Sequence, residues 1–295
     1  MQGIEDYSKA IQLNPKDADA YVSRGLAYDK LEQYEKAIDD YSKAIELDSK
    51  CVGVYLWRGI AYTNIGQHTK AIDDFSKAID LDPEFAGAYT WRGYTYCELE
   101  QYQTVIGDCS KAIELNPKDD LAYSSRGTGY NELGQYEEAI DDYSKAIELN
   151  PKFAETFNNR GLAYAKVGQY EKAIDDFSKA IELDSKSADA YNNRGFTYGK
   201  IGQYQKGIDD CNKAIELDHN VAEAYDSRGF IYGKLEQYQK AIDDFSQAIQ
   251  LDPKYAAAYD NRAQCYEKLG NKTLAHKDRK MAIELGYELS RGKQK

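Results

Sequence analysis

The residues best suited to proton transfer in this chain are adjacent carboxylates such as Asp39 and Asp40, where one member could hold a proton while the other stays ionised. The same pair returns at Asp73–Asp74, Asp141–Asp142, Asp175–Asp176, Asp209–Asp210 and Asp243–Asp244, at intervals of 34 residues or a multiple of it. A catalytic dyad is a unique constellation, so a pair that recurs at a fixed interval reads as scaffold. His68, His219 and His276 fall in three separate segments, without a cysteine or carboxylate at metal-ligand spacing. Ser42, Ser76, Ser144 and Ser178 belong to the same periodic framework and have no histidine partner. Cys51, Cys97, Cys109, Cys211 and Cys265 are odd in number and far apart, and read as small buried hydrophobes in a reducing compartment. No glycine-rich phosphate loop is present. The sequence therefore points to no catalytic residue, no metal site and no cofactor, and to a protein that is not an enzyme.

A recurring cation has two readings. Arg24, Arg58, Arg92, Arg126, Arg160, Arg194, Arg228 and Arg262 occupy one column of the repeat. As a basic ladder they could capture an acidic ligand. As internal ion pairs they would meet a second constant column, Asp40, Asp74, Asp108, Asp142, Asp176, Asp210, Asp244 and Asp278, with Asp6 ahead of it. That aspartate stands three residues after and four before alanines of the expected core (Ala37 and Ala44 in the first row), so it borders a helix interface. A partly buried arginine favours a bidentate carboxylate. Arg–Asp bridges that fix helix-pair geometry are the favoured reading, with ligand capture the alternative.

The elements that carry these columns follow from the period. Eight rows run 18–51, 52–85, 86–119, 120–153, 154–187, 188–221, 222–255 and 256–289. Gly25, Gly59, Gly93, Gly127, Gly161, Gly195 and Gly229 share a column that ends at Ala263. An aromatic stands four residues before it and another three after, which is one face of a helix with a small residue for close approach. A turn such as LEQY or LGQY follows, then a second helical pattern, as in Ala37-Ile38-x-x-Tyr41-x-x-Ala44-Ile45-x-Leu47. Pro15, Pro83, Pro117, Pro151 and Pro253 all fall where the second helix ends. Each row is thus helix, turn, helix, turn, and neither helix can bury its apolar stripe without stacked neighbours. Residues 1–17 form a half repeat, with residues 3–17 as its second helix; the missing first helix is expected in a longer array. Ile4 and Tyr7 would be left partly uncovered there, which favours end-to-end self-association. The last row is polar, with Arg279 in the column of Tyr41, and suits a cap before a polar tail at 290–295.

This pattern resembles the tetratricopeptide repeat family, over essentially the whole chain. Where that family usually has leucine before the glycine, this chain has arginine, which resembles an arginine-glycine subtype. The resemblance implies an all-α fold, a right-handed superhelical α-solenoid of antiparallel helix pairs, whose first helices line a concave groove that binds protein or peptide. Subtracting the framework leaves Trp57, Trp91, Tyr94, Phe196 and Phe230 on first helices, in columns that vary from row to row. Exposed aromatics are common interface anchors. Leu26, Ile60, Phe196 and Phe230, all following the glycine, could instead fill space between neighbouring first helices. Asn159, Asn193 and Asn261 are candidates to hydrogen-bond a ligand backbone, as asparagines do in some members of the family. The basic positions of the family's carboxylate clamp are unmatched: one column reads Asp19, Gly53, Gly87, Leu121, Glu155, Asp189, Glu223, Ala257 and the other begins Val22, Leu56, Thr90. The C-terminal half of the groove reads as acidic, with Lys166, Lys200, Lys234 and Lys268 one helical face away, so a neutral or basic peptide is expected as partner. An alternative is that the array is the regulatory or targeting arm of a larger, enzymatic protein.

Bulk properties agree with a folded, acidic binding protein. The net charge of −12 disfavours nucleic acid and anionic membranes as partners. Aromatics at 13% argue against an unfolded coil despite 30% charged residues. No apolar run approaches the roughly 18 residues of a membrane-spanning helix, and the start shows no signal pattern. A cytoplasmic location is expected.

Overall fold

The computed structural model describes residues 2–287, so the expected tail at 290–295 lies outside the described residues. Every regular element among the described residues is a helix, and the fold is an all-α solenoid. The chain divides into two compact units at Pro151 and Lys152. Unit 1 contains α1 (Gln2–Leu13), α2 (Ala18–Asp29), α3 (Tyr34–Leu47), α4 (Val52–Asn64), α5 (His68–Leu81), α6 (Ala86–Cys97), α7 (Tyr102–Leu115), α8 (Asp120–Glu132) and α9 (Tyr136–Leu149). Unit 2 contains α10 (Ala154–Lys166), α11 (Tyr170–Leu183), α12 (Ala188–Lys200), α13 (Tyr204–Leu217), α14 (Ala222–Lys234), α15 (Tyr238–Leu251), α16 (Ala256–Lys268) and α17 (Lys272–Glu284). In both units the largest interfaces join the two helices of a row, and the second helix then packs on the first helix of the next row. Among the described residues no helix is long and apolar enough to cross a membrane.

Local chemistry sets where each helix stops. After the first helix the chain turns through a left-handed residue: Gly66, Gly134, Gly168, Gly202 and Gly270 lie at φ of 72° to 80°. The Gln67 N–H then reaches back to the Tyr62 carbonyl at 2.8 Å, which satisfies an orphan carbonyl of the helix end. After the second helix an Asp or Asn side chain accepts the N–H two residues on, as Asp48 does from Lys50 at 3.0 Å and Asp252 from Lys254 at 2.8 Å. That local bond competes with helix continuation. Asp17, Asp119 and Ser187 restart the chain as N-caps, accepting from Ala20, Ala122 and Ala190.

The core is a stack of rings against glycines. Tyr41 and Phe75 are fully buried in unit 1, as is Phe177 in unit 2. A Cβ added at Gly25 would meet the Tyr41 ring at 2.6 Å, and one at Gly59 the Phe75 ring at 2.5 Å. Glycine is therefore required by close approach of first and second helix. Row 8 shows the converse: Arg279 stands in the ring column and turns outward to Glu267 at 2.5 and 2.8 Å, and the glycine column holds the buried Ala263. On α1, Ile4 is half-buried, Tyr7 is 37% exposed and Leu13 is 88% exposed, so its outer apolar edge has no cover among the described residues.

Candidate functional site

The two constant charged columns meet. Arg24 Nε and Nη2 donate to the two oxygens of Asp40 at 2.8 and 2.7 Å. The same fork joins Arg58 to Asp74, Arg92 to Asp108, Arg126 to Asp142, Arg160 to Asp176, Arg194 to Asp210, Arg228 to Asp244 and Arg262 to Asp278, each at 2.7 Å at its shortest. The guanidinium also stacks against the rings before and after it, as Arg58 does at 5.8 Å from Tyr55 and 5.9 Å from Tyr62. Its third nitrogen reaches the second helix of the preceding row: Arg58 to Ser42 and Arg92 to Ser76 at 3.0 Å, Arg194 to Ser178 at 3.0 Å. The Asp108 hydrogen bond holds the Arg92 guanidinium above its ordinary pKa, against the lowering effect of burial. One side chain thus ties three helices, with its donors committed to protein acceptors.

The variable columns lie elsewhere on the first helices. In unit 1, Trp57 of α4 is 39% exposed. Trp91 of α6 is half-buried against Leu56, Ile60 and Phe75, and meets Tyr94 edge-on at 5.5 Å between centroids. In unit 2, Phe196 of α12 and Phe230 of α14 lie 5.4 Å apart and tilted by 49°. Both rings remain half-buried, so they fill space between first helices and also face outward. Asn159 of α10 is half-buried. Asn193 donates to the Asn158 carbonyl at 3.0 Å, and Asn261 donates to Asp226 at 3.0 Å. These two amides are therefore already engaged with the preceding row, leaving one N–H and the carbonyl of each for another partner.

Two open cavities in unit 2 repeat the same columns. One of about 440 Å³ is lined by Leu162, Ala165, Lys166, Tyr170, Phe177, Asn193, Phe196, Thr197 and Lys200. The other, of about 210 Å³, is lined by Phe230, Gly233, Lys234, Tyr238, Phe245, Asn261, Gln264, Cys265 and Lys268. The lysines were expected one helical face away. Residues i, i+3, i+4 and i+7 share a face, so Lys200 borders the same cavity as Asn193 and Phe196. The lysine column and the turn tyrosines Tyr170 and Tyr238 are the residues that sequence reasoning left out of the site, and that helical spacing could have found them.

Of the carboxylates that make this half read as acidic, Glu155, Asp189 and Glu223 are exposed and two others are buried. Asp226 is 8% exposed and accepts from Asn261 and Tyr255. Asp260 is 7% exposed and accepts from Gln264 at 2.7 Å, with Arg279 at 3.9 Å. Asp226 thus belongs to the packing between rows 7 and 8 and Asp260 to the contacts within row 8, and both are buried. Burial pushes the Cys211 thiol up to about 12 and the Cys265 thiol up to about 11, so neither presents a thiolate at neutral pH, while Cys51 is exposed.

Known proteins share the repeat and its fold. A tetratricopeptide repeat family model matches residues 18–51, 53–85, 154–187, 188–221 and 222–255. A second matches 75–106 and 109–141, and a TPR repeat model matches 2–32 and 129–168. Among solved structures, the APC/C hetero-tetramer Cut9–Hcn1 is similar with a TM-score of 0.70 and 20% identity, over 88% of this chain and 51% of that chain. This chain thus spans about half the length of that one. A tetratricopeptide repeat protein from Parabacteroides merdae is similar with a TM-score of 0.65 and 22% identity, covering 80% of this chain and 94% of that one. YrrB, a TPR protein with an unusual peptide-binding site, is similar with a TM-score of 0.50 and 29% identity, over 63% of this chain and 96% of that chain. No curated protein sequence matches. With matches of the first model alone over more than half its length, the chain belongs to the tetratricopeptide repeat family.

Proposed function

We propose that this protein is a non-catalytic scaffold that holds an extended peptide or protein segment on the variable columns of its first helices. One observation carries the reading: the constant columns are consumed by the scaffold, while the variable ones reach solvent. Tyr41 is fully buried and Arg58 is forked to Asp74, whereas Trp57 is 39% exposed. In unit 1 the anchors are Trp57, Trp91 and Tyr94. In unit 2 they are Asn159, Asn193, Phe196, Phe230 and Asn261. Large half-exposed aromatics supply contact area at low entropic cost, and asparagine supplies a donor and an acceptor for a peptide backbone. That YrrB, at 29% identity, is a TPR protein with a peptide-binding site supports peptide binding as the function.

Charge refines the partner for unit 1. Glu132 is exposed at the end of α8, and Glu98, the cap residue that follows α6, is exposed two turns beyond Trp91. A neutral or basic segment with apolar anchors is the occupant proposed there. A peptide-array screen followed by tryptophan fluorescence titration tests the assignment. The Trp57→Ala, Trp91→Ala double variant is expected to weaken binding of unit 1 ligands at least tenfold, as loss of hot-spot aromatics does. Unchanged binding of every selected peptide by that variant would overturn the placement of the site.

A further inference from the structure

The two cavities of unit 2 are rimmed by lysine, and their surroundings specify a charge. We infer that unit 2 receives an acidic extended segment, seating two carboxylate side chains two repeats apart. The inference rests on the first helices being the peptide site and adds the chemistry of the occupant.

Four ammonium groups stand in one column, Lys166 and Lys200 at the larger cavity and Lys234 and Lys268 at the smaller. No carboxylate lines either cavity, in a chain of net charge −12. Two lysines on the second helices of unit 2 are paired: Lys179 and Lys213 each meet a glutamate three residues on, at 2.9 and 2.8 Å. Among the described residues, the four first-helix lysines have no carboxylate within the 4.0 Å of an ion pair. Lys200 Nζ instead rests on the rings of Phe196 and Phe230, 4.9 Å from each centroid, and Lys234 Nζ lies 5.2 Å from Phe230. The rings hold the Lys200 and Lys234 ammonium groups beside apolar surface, where an incoming carboxylate is less screened than over open water. The methylenes of a glutamate would cover the phenylalanine edge, and the asparagine of each cavity offers its remaining amide proton to the same carboxylate.

Unit 1 lacks this combination. Its matching column reads Lys30, Asn64, Glu98 and Glu132, and the column after the glycine has no phenylalanine. Within unit 2 the space between α12 and α14 is closed. A Cβ at Gly199 would meet Ile231 at 2.6 Å, and the Phe196–Phe230 pair caps the outside. The occupant must therefore bridge a solid aromatic partition between two openings. With neighbouring first helices stacked about 10 Å apart, the openings lie about 20 Å apart. An extended chain covers that distance in about six residues. Acidic side chains at i and about i+6, with an apolar residue between them over the phenylalanines, fit the surface.

The test uses the full chain and an array of 12-residue peptides carrying two glutamates at separations of three to nine, beside matched arrays with two glutamines or two lysines. Retention is expected to peak near a separation of six for the glutamate array, to fall about tenfold for glutamine, and to decline with added salt. Lys200→Gln with Lys234→Gln, both solvent-facing changes whose folding is checked by circular dichroism, is expected to remove that preference. Equal retention of glutamate and glutamine peptides, or a preference that survives the lysine substitutions, overturns the proposal. If unit 1 ligands still respond to Trp57→Ala with Trp91→Ala in that event, the general binding assignment stands and only the acidic occupant is lost. If neither set of substitutions affects any peptide, both readings fall.

Discussion

Arg228 forks onto Asp244 at 2.8 and 2.7 Å and turns its remaining nitrogen to the Asn212 carbonyl at 2.6 Å, where the corresponding partner of Arg194 and of Arg262 is a serine. The substitution preserves an acceptor at the end of the guanidinium, so the three-helix tie survives a change of side chain. Removing the cation leaves Asp244, which is 7% exposed, without its counter-charge. Arg228→Leu is therefore expected to cost about 3 kcal/mol, the range for breaking a buried pair. Arg228→Lys keeps the charge but not the fork and should lose about half as much. Hydrogen exchange of α14 and α15 amides measures the local effect, which suits a repeat array better than a single global midpoint. Unchanged exchange with weakened peptide binding would reassign the arginine column to ligand capture.

A second prediction concerns the turns. Glu32, Glu100 and Glu236 lie at φ of 56°, 55° and 58°, in the same turn position that other rows fill with glycine. A side chain in that region costs about 1–2 kcal/mol, part of which glycine returns through the entropy of the unfolded chain. Glu32→Gly, Glu100→Gly and Glu236→Gly should each stabilise by about 0.5–1 kcal/mol. Denaturant midpoints of the triple variant give the check, and a lower midpoint than the parent would show that these glutamates contribute contacts worth more than the strain.

Much of this was legible because the period does the work of an alignment. Columns that stay glycine, tyrosine, arginine or aspartate mark one helix interface seen again and again, and a ring opposite a glycine needs no coordinates to be suspected. The site was less legible for two physical reasons. Asp226 and Asp260 look like groove charge in the sequence, yet each accepts a side-chain donor that lies far along the chain or on the next turn, Asn261 and Gln264. Lys200 and Lys234 look like ordinary surface lysines, and only the meeting of Phe196 with Phe230 from separate rows shows why they stand where they do.

The glycines divide into those under a ring and those facing open space, which gives a third prediction with opposite signs. A Cβ at Gly59 would meet the buried Phe75 ring at 2.5 Å, while one at Gly53 on the same helix meets nothing within 4 Å. Gly59→Ala should destabilise by about 1–3 kcal/mol through overpacking. Gly53→Ala should stabilise α4 by about 0.5–1 kcal/mol through helix propensity alone. Thermal unfolding of the two variants side by side decides it, and shifts of the same sign would contradict the assigned packing.

A fourth prediction follows from Asp226. It accepts from Asn261 of the next row at 3.0 Å and from Tyr255, the last residue of its own row, at 3.4 Å, with Glu223 one turn away on its own helix. Burial pushes its carboxyl up to about 6; the two hydrogen bonds pull against this and Glu223 adds to it. A raised folded pKa means that the native state keeps a proton which the unfolded chain releases near pH 3.8. The stability that this proton contributes is complete below pH 4, declines as pH rises towards 6, and is absent at pH 7. The rise from 3.8 to about 6 corresponds to about 3 kcal/mol. Asp226→Asn keeps an acceptor for Asn261 and has no charge to desolvate, so it should match the parent at pH 4 and exceed it by about 2 kcal/mol at pH 7. Parallel unfolding curves for the two proteins across pH 4 to 7 would show that Asp226 titrates as an ordinary aspartate and that the contact between rows 7 and 8 is indifferent to its charge.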